Sequence, residues 1–393
     1  MRSNPALKTG DSIFGRIAFG LLRTYGAVCR RASHREPVLP PDHQVERILA
    51  IKLCCLGDAI LAVPALRALK QRWPQARLTV VCTPRSCAAF ENLAYVDDIV
   101  CIPVTGLSGV GELIANLGTV RRALAKVRKE RPNLAVDLDL YFRATPVLAC
   151  MSGAPVRVGF DTEGFDRAGL FTHSAPRARD RWEAECFMDL LRAIGVDSDD
   201  LTLDFPIPPA ARQAADQILS AHGIAPGAGF VSMCPGSSKN WPSKQWSTHR
   251  FAEIVDFVHQ KYRLPTVLIG ASFEVDLCDE VAGQASVDVA NLAGETSVPE
   301  TAAILQRSSV LVTNDTGPLH LATAVGTPVV AIFGPTNEKK WGPRGPRDVV
   351  ITNENCDCRP CYYLSYMPDC EHRRCLAEIP ASRVKDAVAG VLG

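Results

Sequence analysis

The sequence predicts an α/β protein: two Rossmann-like, doubly wound domains in tandem, facing each other across a cleft. Three observations predict it. Short apolar runs alternate with segments of helical periodicity, the pattern of βαβ units closing a parallel sheet. The alternation stops at a proline-rich stretch, Asp204-Phe-Pro-Ile-Pro-Pro-Ala210, and restarts after it. The chain has 393 residues, enough for two cores at about 100–200 residues per domain.

In chain order, Pro37, Pro40 and Pro41 mark a linker. Arg47–Leu53 is an apolar run suited to a buried strand; a Gly-Asp pair follows it, then a helical pattern through Leu61, Leu66 and Leu69 that ends before Pro74. Leu78–Cys82, Ile99–Val104 and Leu134–Leu140 read as strands, with a helix over 112–130. Beyond the junction, Phe230–Cys234, Thr266–Ile269, Val310–Thr313 and Val329–Phe333 read as strands and Phe251–Lys261 as a helix. In such folds ligands sit at the carboxyl ends of the strands, so the loops after these strands are where chemistry is sought.

Composition narrows the class. Hydrophobic residues make up 47% and charged residues 22%, the balance of an ordinary soluble globular protein. A formal net charge of +1 gives no footprint for nucleic acid as a partner. No apolar run is long enough to span a membrane. Near the N-terminus, Ile13, Phe14, Ile17, Ala18, Leu21, Leu22 and Tyr25 recur at helical spacing among Arg16, Arg23, Arg30 and Arg31. That pattern fits a basic amphipathic helix on an anionic membrane face, or a helix or tail lying on the protein itself. No export signal is recognisable, so the expected compartment is the cytoplasm, where disulfides are not the default for the 15 cysteines.

Three strand ends in the second half carry candidate ligands for a phosphate-bearing molecule. In Val310-Leu-Val-Thr-Asn-Asp-Thr-Gly-Pro-Leu-His320, Thr316 or Gly317 caps a helix with Pro318 in its first turn, and Gly326 suits the position past its end. Free N–H groups at such a helix start seat a diphosphate; plain capping is the alternative. In Cys234-Pro-Gly-Ser-Ser-Lys239, Gly236, Ser237 and Ser238 offer donors and Lys239 a point charge, unless it is a solvated loop lysine. In Gly270-Ala-Ser-Phe-Glu274, the carboxylate suits ribose hydroxyls. In the first half, Asp58 of Leu53-Cys-Cys-Leu-Gly-Asp58 reads either as a helix N-cap or as a general base for an acceptor hydroxyl.

The Gly-Asp segment (Ile48–Leu69), the Lys-Asn-Trp-Pro loop and the Asp-Thr-Gly-Pro-Leu-His run resemble the heptosyltransferase family of bacterial lipopolysaccharide core synthesis, glycosyltransferase family 9. Asn133-Leu-Ala-Val-Asp-Leu138, Arg157-Val-Gly-Phe160 and Phe333-Gly-Pro-Thr336 support it, and the resemblance covers roughly residues 45–385. It implies the GT-B architecture: an N-terminal acceptor-binding domain at 45–205 and a nucleotide-sugar donor-binding domain at 206–355, flanked by the basic segment and linker (1–44) and a Cys-rich arm with a C-terminal helix (356–393). It implies inverting transfer, usually from ADP-heptose to a glycolipid or lipopolysaccharide-core acceptor, with no metal required for catalysis. By resemblance Asp58 is the base, Lys239 meets the donor diphosphate, Glu274 lies near the nucleoside, and Asp315, Thr316, Gly317 and His320 bind donor, with Gly236, Ser237 and Ser238 in the same loop. Arg143, Arg157, Arg177, Arg179 and Arg181 are candidates for an anionic acceptor, against a reading as solvated arginines; Arg143 and Arg157 are the two retained as acceptor-binding.

Cys356, Cys358, Cys361, Cys370 and Cys375 have spacing that resembles a metal-ligand set, readable as structural zinc, an iron–sulfur cluster, a redox-labile loop or reduced buried thiols. Two other functions share this fold pattern: another nucleotide-sugar transferase or an epimerase, and a non-catalytic nucleotide-sugar-binding protein. Contact with the cytoplasmic face of the inner membrane is a further expectation, resting on the basic N-terminal pattern.

Overall fold

The computed structural model describes residue 39 and residues 42–102, 117–142, 144–165, 167–239, 241–363 and 366–393. The N-terminal amphipathic pattern, the linker prolines and Arg143 lie outside the described residues. The chain forms two compact units, the boundary falling between Thr202 and Leu203.

The first unit is built on β1 (Arg47–Ile51), β2 (Arg77–Cys82), β3 (Asp98–Cys101), β4 (Leu134–Asp137), β5 (Val156–Asp161) and β6 (His173–Pro176). They form one parallel sheet in the order β3-β2-β1-β4-β5-β6. Central β1 is covered on both faces, and Ile48, Leu49, Ala50 and Ile51 are each at most 1% exposed. This is why the run is continuously apolar and not alternating. Burying each of its large aliphatic side chains contributes about 1.5–3 kcal/mol.

The single helix expected after β1 is two: α1 (Leu56–Leu61) and α2 (Val63–Arg72). Pro64 is the cause, because it has no N–H to return to the carbonyl four residues earlier. The expected strands at the ends of β1, β3 and β4 stop two or three residues early, and the residues trimmed from β1 and β4 form the loops described below. Helices α3 (Leu117–Glu130), α4 (Ala144–Met151) and α5 (Glu183–Arg192) complete this unit.

The second unit repeats the plan. After α6 (Pro209–Ala221) come β7 (Val231–Cys234), α7 (Thr248–Tyr262), β8 (Thr266–Leu268), α8 (Val275–Gln284), β9 (Ala290–Asn291), α9 (Val298–Arg307) and β10 (Leu311–Asn314). Then follow α10 (Gly317–Ala324), β11 (Val329–Phe333), α11 (Glu338–Trp341), β12 (Val349–Thr352), α12 (Arg374–Ala377) and α13 (Ala381–Leu392). Its parallel sheet runs β12-β11-β10-β7-β8-β9. Read from its own first strand, this is the same order as in the first unit. Gly326 stands just past α10 with φ of +82°, the left-handed turn that ends a helix where glycine carries no Cβ penalty.

In both sheets the winding direction reverses between the first and fourth strands: β1 and β4 in one, β7 and β10 in the other. Connections leave those strand pairs in opposite directions, which opens a crevice at their carboxyl ends. The candidate residues cluster there.

Candidate functional site

In the first unit the crevice is organised by buried charge. The Asp139 carboxylate, just past β4, accepts from the backbone N–H of Leu53 at 2.7 Å and of Cys54 at 3.3 Å, fixing the loop that leaves β1. It also meets the Lys52 ammonium at 3.3 Å, with both side chains fully buried. Burial, the largest influence, would lower the lysine's pKa; Asp139, Asp58, Cys54 and Cys55 together outweigh it and lift the ammonium above its ordinary range. Two residues back, Asp137 pairs with Arg167 at 2.6 Å, again fully buried. Burial pushes the Asp137 carboxyl well up despite the opposing arginine. Arg167 also donates to the Asp139 carbonyl at 2.6 Å and to Thr145 at 3.0 Å, so the strand-end carboxylates share one network.

The other wall of this loop is the turn after β2. Thr83 donates to the Leu53 carbonyl at 2.9 Å and Ser86 to that of Lys52 at 3.2 Å. A disulfide between Cys82 and Cys87 closes that turn, an exception to the expectation that disulfides are not the default.

Asp58 sits on this scaffold as the third residue of α1, half-buried. The N-cap is Cys55, so the capping alternative for Asp58 is not what the structure shows. Its carboxylate oxygen Oδ2 instead accepts from the Cys54 thiol at 3.0 Å and lies 3.7 Å from that of Cys55. A partly exposed carboxylate without an ion-pair partner among the described residues is available to take a proton.

In the second unit, Asn314 at the end of β10 ties three loops together. Its amide donates to the carbonyls of Pro235 at 2.7 Å and Gly236 at 3.2 Å and accepts from the Trp246 N–H at 3.0 Å. Next to it, Asp315 is 7% exposed and lies 2.8 Å from the Lys244 ammonium. Burial would raise the Asp315 carboxyl, but Lys244 holds it below the usual carboxylate range, aided by His320. His320 is buried in α10. Thr316 is the N-cap of α10 but makes no side-chain cap bond, so the first-turn N–H groups depend on another acceptor.

The β7 loop and the β8 loop interlock. The Glu274 carboxylate accepts from the Ala271 N–H at 2.8 Å and from the Ser237 backbone, and burial raises its pKa. It fills the space beside Gly236: a Cβ built on that glycine would lie 1.9 Å from Glu274 Oε1. The Ser237 hydroxyl is engaged with the Trp241 carbonyl at 2.9 Å, so it shapes the loop. Ser238 is half-buried and Lys239 is exposed, with no ion-pair partner among the described residues.

The candidate arginines divide. Arg157 donates to the Leu170 carbonyl at 3.0 Å and the Ala154 carbonyl at 2.8 Å, a role in tethering its own sheet. Arg177 is paired with buried Glu183 at 3.2 Å, Arg179 with Glu163, and Arg181 with Glu185 and Asp189. The late cysteines lie within electrostatic reach of one another. Cys356 and Cys358 meet at 3.4 Å and Cys370 lies 3.6 Å from His372, while Cys356 and Cys375 are buried in the apolar core of this unit. Burial and the neighbouring thiols push Cys375 up to about 12. The arm is also fastened by an arginine: Arg359 pairs with Glu338 at 2.7 Å and donates to the Gly334 carbonyl at 3.1 Å.

Sequence reasoning missed Lys52, Asp139 and Lys244. The Asp-x-Asp spacing at the end of β4 was a usable signal for Asp139. Lys244 had none, because its partner is seventy-one residues away.

Two Rossmann-type units in one chain, with buried charge at each switch point and an open helix start in the second, define the class: a doubly wound, two-unit α/β protein whose second switch point can seat an anionic ligand. Comparison with known proteins gives the family. The model of glycosyltransferase family 9 (heptosyltransferase) matches residues 120–366. Lipopolysaccharide heptosyltransferase 2 of Salmonella typhimurium is 25% identical over 316 residues, covering 78% of this chain and 87% of that protein. Among solved structures, a family 9 glycosyltransferase from Veillonella parvula superposes with a TM-score of 0.74 at 24% identity, covering 88% of this chain and 97% of that one. The ADP-heptose lipopolysaccharide heptosyltransferase II of E. coli does so with a TM-score of 0.69 at 20% identity, covering 88% and 98%. The chain belongs to glycosyltransferase family 9, the heptosyltransferases, and is a glycosyltransferase of the GT-B fold.

Proposed function

We propose that this enzyme moves a heptosyl residue, with inversion, from ADP-heptose to a hydroxyl of a lipopolysaccharide-core or related glycolipid. The observation that supports it most is the second unit's switch point. Here Asp315, neutralised by Lys244, stands beside the open start of α10, and Lys239 lies exposed on the adjoining loop. An anionic diphosphate suits the N–H groups and Lys239; the sugar and ribose hydroxyls suit the Asp315 and Glu274 carboxylates.

In the reaction Asp58 takes the acceptor hydroxyl proton as that oxygen bonds to the anomeric carbon. The bond from that carbon to the diphosphate oxygen breaks, and ADP leaves. The charge developing on the leaving group is met by Lys239 and the dipole of α10, which do the work a divalent ion does elsewhere. The relatives' names support the heptose and lipopolysaccharide assignments, and the arginines interspersed in the apolar sequence pattern near the N-terminus support a peripheral place on the cytoplasmic face of the inner membrane. No helix among the described residues is long and apolar enough to cross a membrane.

Calorimetric titration with ADP, UDP and GDP, with and without Mg²⁺, tests the donor. Metal-independent preference for ADP is expected, and transfer from ADP-heptose to a core-oligosaccharide lipid is then measured directly. Preference for UDP or GDP would discard heptose as the donor sugar.

A further inference from the structure

We propose that Cys54, Cys55 and Asp58 form a binding site for a thiophilic divalent cation of the zinc class. The three ligand atoms lie within 4.8 Å of one another. The two sulfurs are 3.2 Å apart, and Asp58 Oδ2 lies 3.0 Å and 3.7 Å from them. Zinc–sulfur bonds of about 2.3 Å at a tetrahedral angle place two sulfurs about 3.8 Å apart, and a sulfur and an oxygen slightly closer. Small side-chain rotations bring this trio to that geometry. The late cysteine arm, whose sequence spacing suggests a metal, shows no such trio.

The surroundings fit as well. Asp139 fixes the backbone N–H groups of Leu53 and Cys54, so the first thiol is held on a rigid loop. Such outer-shell bonds orient metal ligands. A divalent ion with two thiolates and one carboxylate carries one net negative charge. The buried Lys52 ammonium, the ion-pair partner of Asp139, is within electrostatic reach of all three ligands and attenuates that charge. The exposed position of Cys55 gives the cation its entry, and three ligands leave the fourth coordination position open. Binding releases the two thiol protons to solvent. With Asp58 read as the base, an occupied site withholds its lone pairs and suppresses transfer; the cation site itself does not rest on that reading.

The test uses the full chain, reduced, with cadmium or zinc ions alone. Cadmium titration, followed by the thiolate-to-metal absorption, is compared between the native chain and Cys54→Ser/Cys55→Ser. The variant should take one equivalent fewer, and Asp58→Asn should bind that equivalent at least tenfold more weakly. Equal stoichiometry and affinity in all three overturn the site. Should the double variant fail to fold, the native chain is alkylated with and without saturating zinc and its peptides weighed. Zinc should protect Cys55 at least tenfold, and unchanged labelling of Cys55 overturns the site. Neither readout involves donor, acceptor or turnover, so failure here and failure of the transferase reading are separately visible.

Discussion

The Lys244 ammonium lies 2.8 Å from the Asp315 carboxylate at the start of α10, with the two side chains 14% and 8% exposed. Lys244 is therefore the partner that keeps a buried carboxylate charged where the donor is proposed to bind. In the native chain Asp315 titrates below its unfolded value, so the pair's stabilisation is complete at neutral pH and is lost only as pH falls through that lowered folded pKa. Lys244→Met removes the main partner and leaves burial opposed only by Thr336 and His320, so the Asp315 pKa rises. The variant should be destabilised by about 3–5 kcal/mol at neutral pH. That loss should shrink as the pH falls through the raised pKa. Denaturant unfolding at pH 7 and pH 5 checks both, and a pH-independent difference would remove the ion-pair argument.

Asp58→Asn should leave ADP affinity unchanged and lower turnover at least ~100-fold, the scale of a lost general base. Isothermal titration and steady-state rates on the same preparation separate the two. Near-native turnover would mean that Asp58 serves only to accept the Cys54 thiol hydrogen bond.

Lys239→Ala should weaken ADP binding by about 10–100-fold, the worth of a charge-assisted hydrogen bond to phosphate. AMP binding should change much less, because it lacks the second phosphate. Equal loss for ADP and AMP would place Lys239 away from the diphosphate.

Gly236→Ala tests the interlock between the loops after β7 and β8. The added Cβ would meet Glu274 Oε1 at 1.9 Å, so the carboxylate must move from its bonds to Ala271 and Ser237. A loss of about 1–3 kcal/mol in stability is expected, with weaker nucleotide binding. Glu274→Ala in the same chain should restore part of the stability, because the clash and its partner vanish together. Additive losses would show that the strain lies elsewhere.

Much of this was legible in the sequence, and the limits have physical causes. Strands β1, β7, β10 and β11 are buried on both faces and read as largely apolar runs, interrupted by Ser232 in β7 and by Thr313 and Asn314 in β10; β6 (His173–Pro176) and β9 (Ala290–Asn291), edge strands of their sheets, carry no such run. The strand-end residues of the donor loops follow from motif and helix-cap chemistry, which are local. Whether Asp58 capped its helix was open in the sequence because a cap differs from a third-position residue only by backbone angles. The ion pairs Lys52–Asp139 and Lys244–Asp315 join residues far apart in sequence, and only the strand order brings them together. The thiol pair at Asp58 carries no spacing signal of its own, because its third partner is a carboxylate that the helix turn brings back to it.

Asp139→Asn is the sharpest test of the first unit's scaffold. The amide keeps an oxygen for one backbone N–H but cannot accept at both positions, and it leaves the buried Lys52 ammonium without its ion-pair partner. About 3–5 kcal/mol of stability should go, as for any buried pair cut on one side. Lys52 then titrates lower, because burial is the largest influence on it and opposes its charge. A lysine whose folded pKa falls below its unfolded value destabilises the fold most below that folded pKa, where it must be charged. The variant's deficit should therefore narrow as the pH rises through the new folded pKa. Turnover should fall while ADP affinity stays native, since the loop that Asp139 fixes carries Asp58 and no donor ligand. A matching loss of ADP affinity would show that the effect reaches the second unit, and would overturn the assignment of Asp139 as the positioning residue for the base.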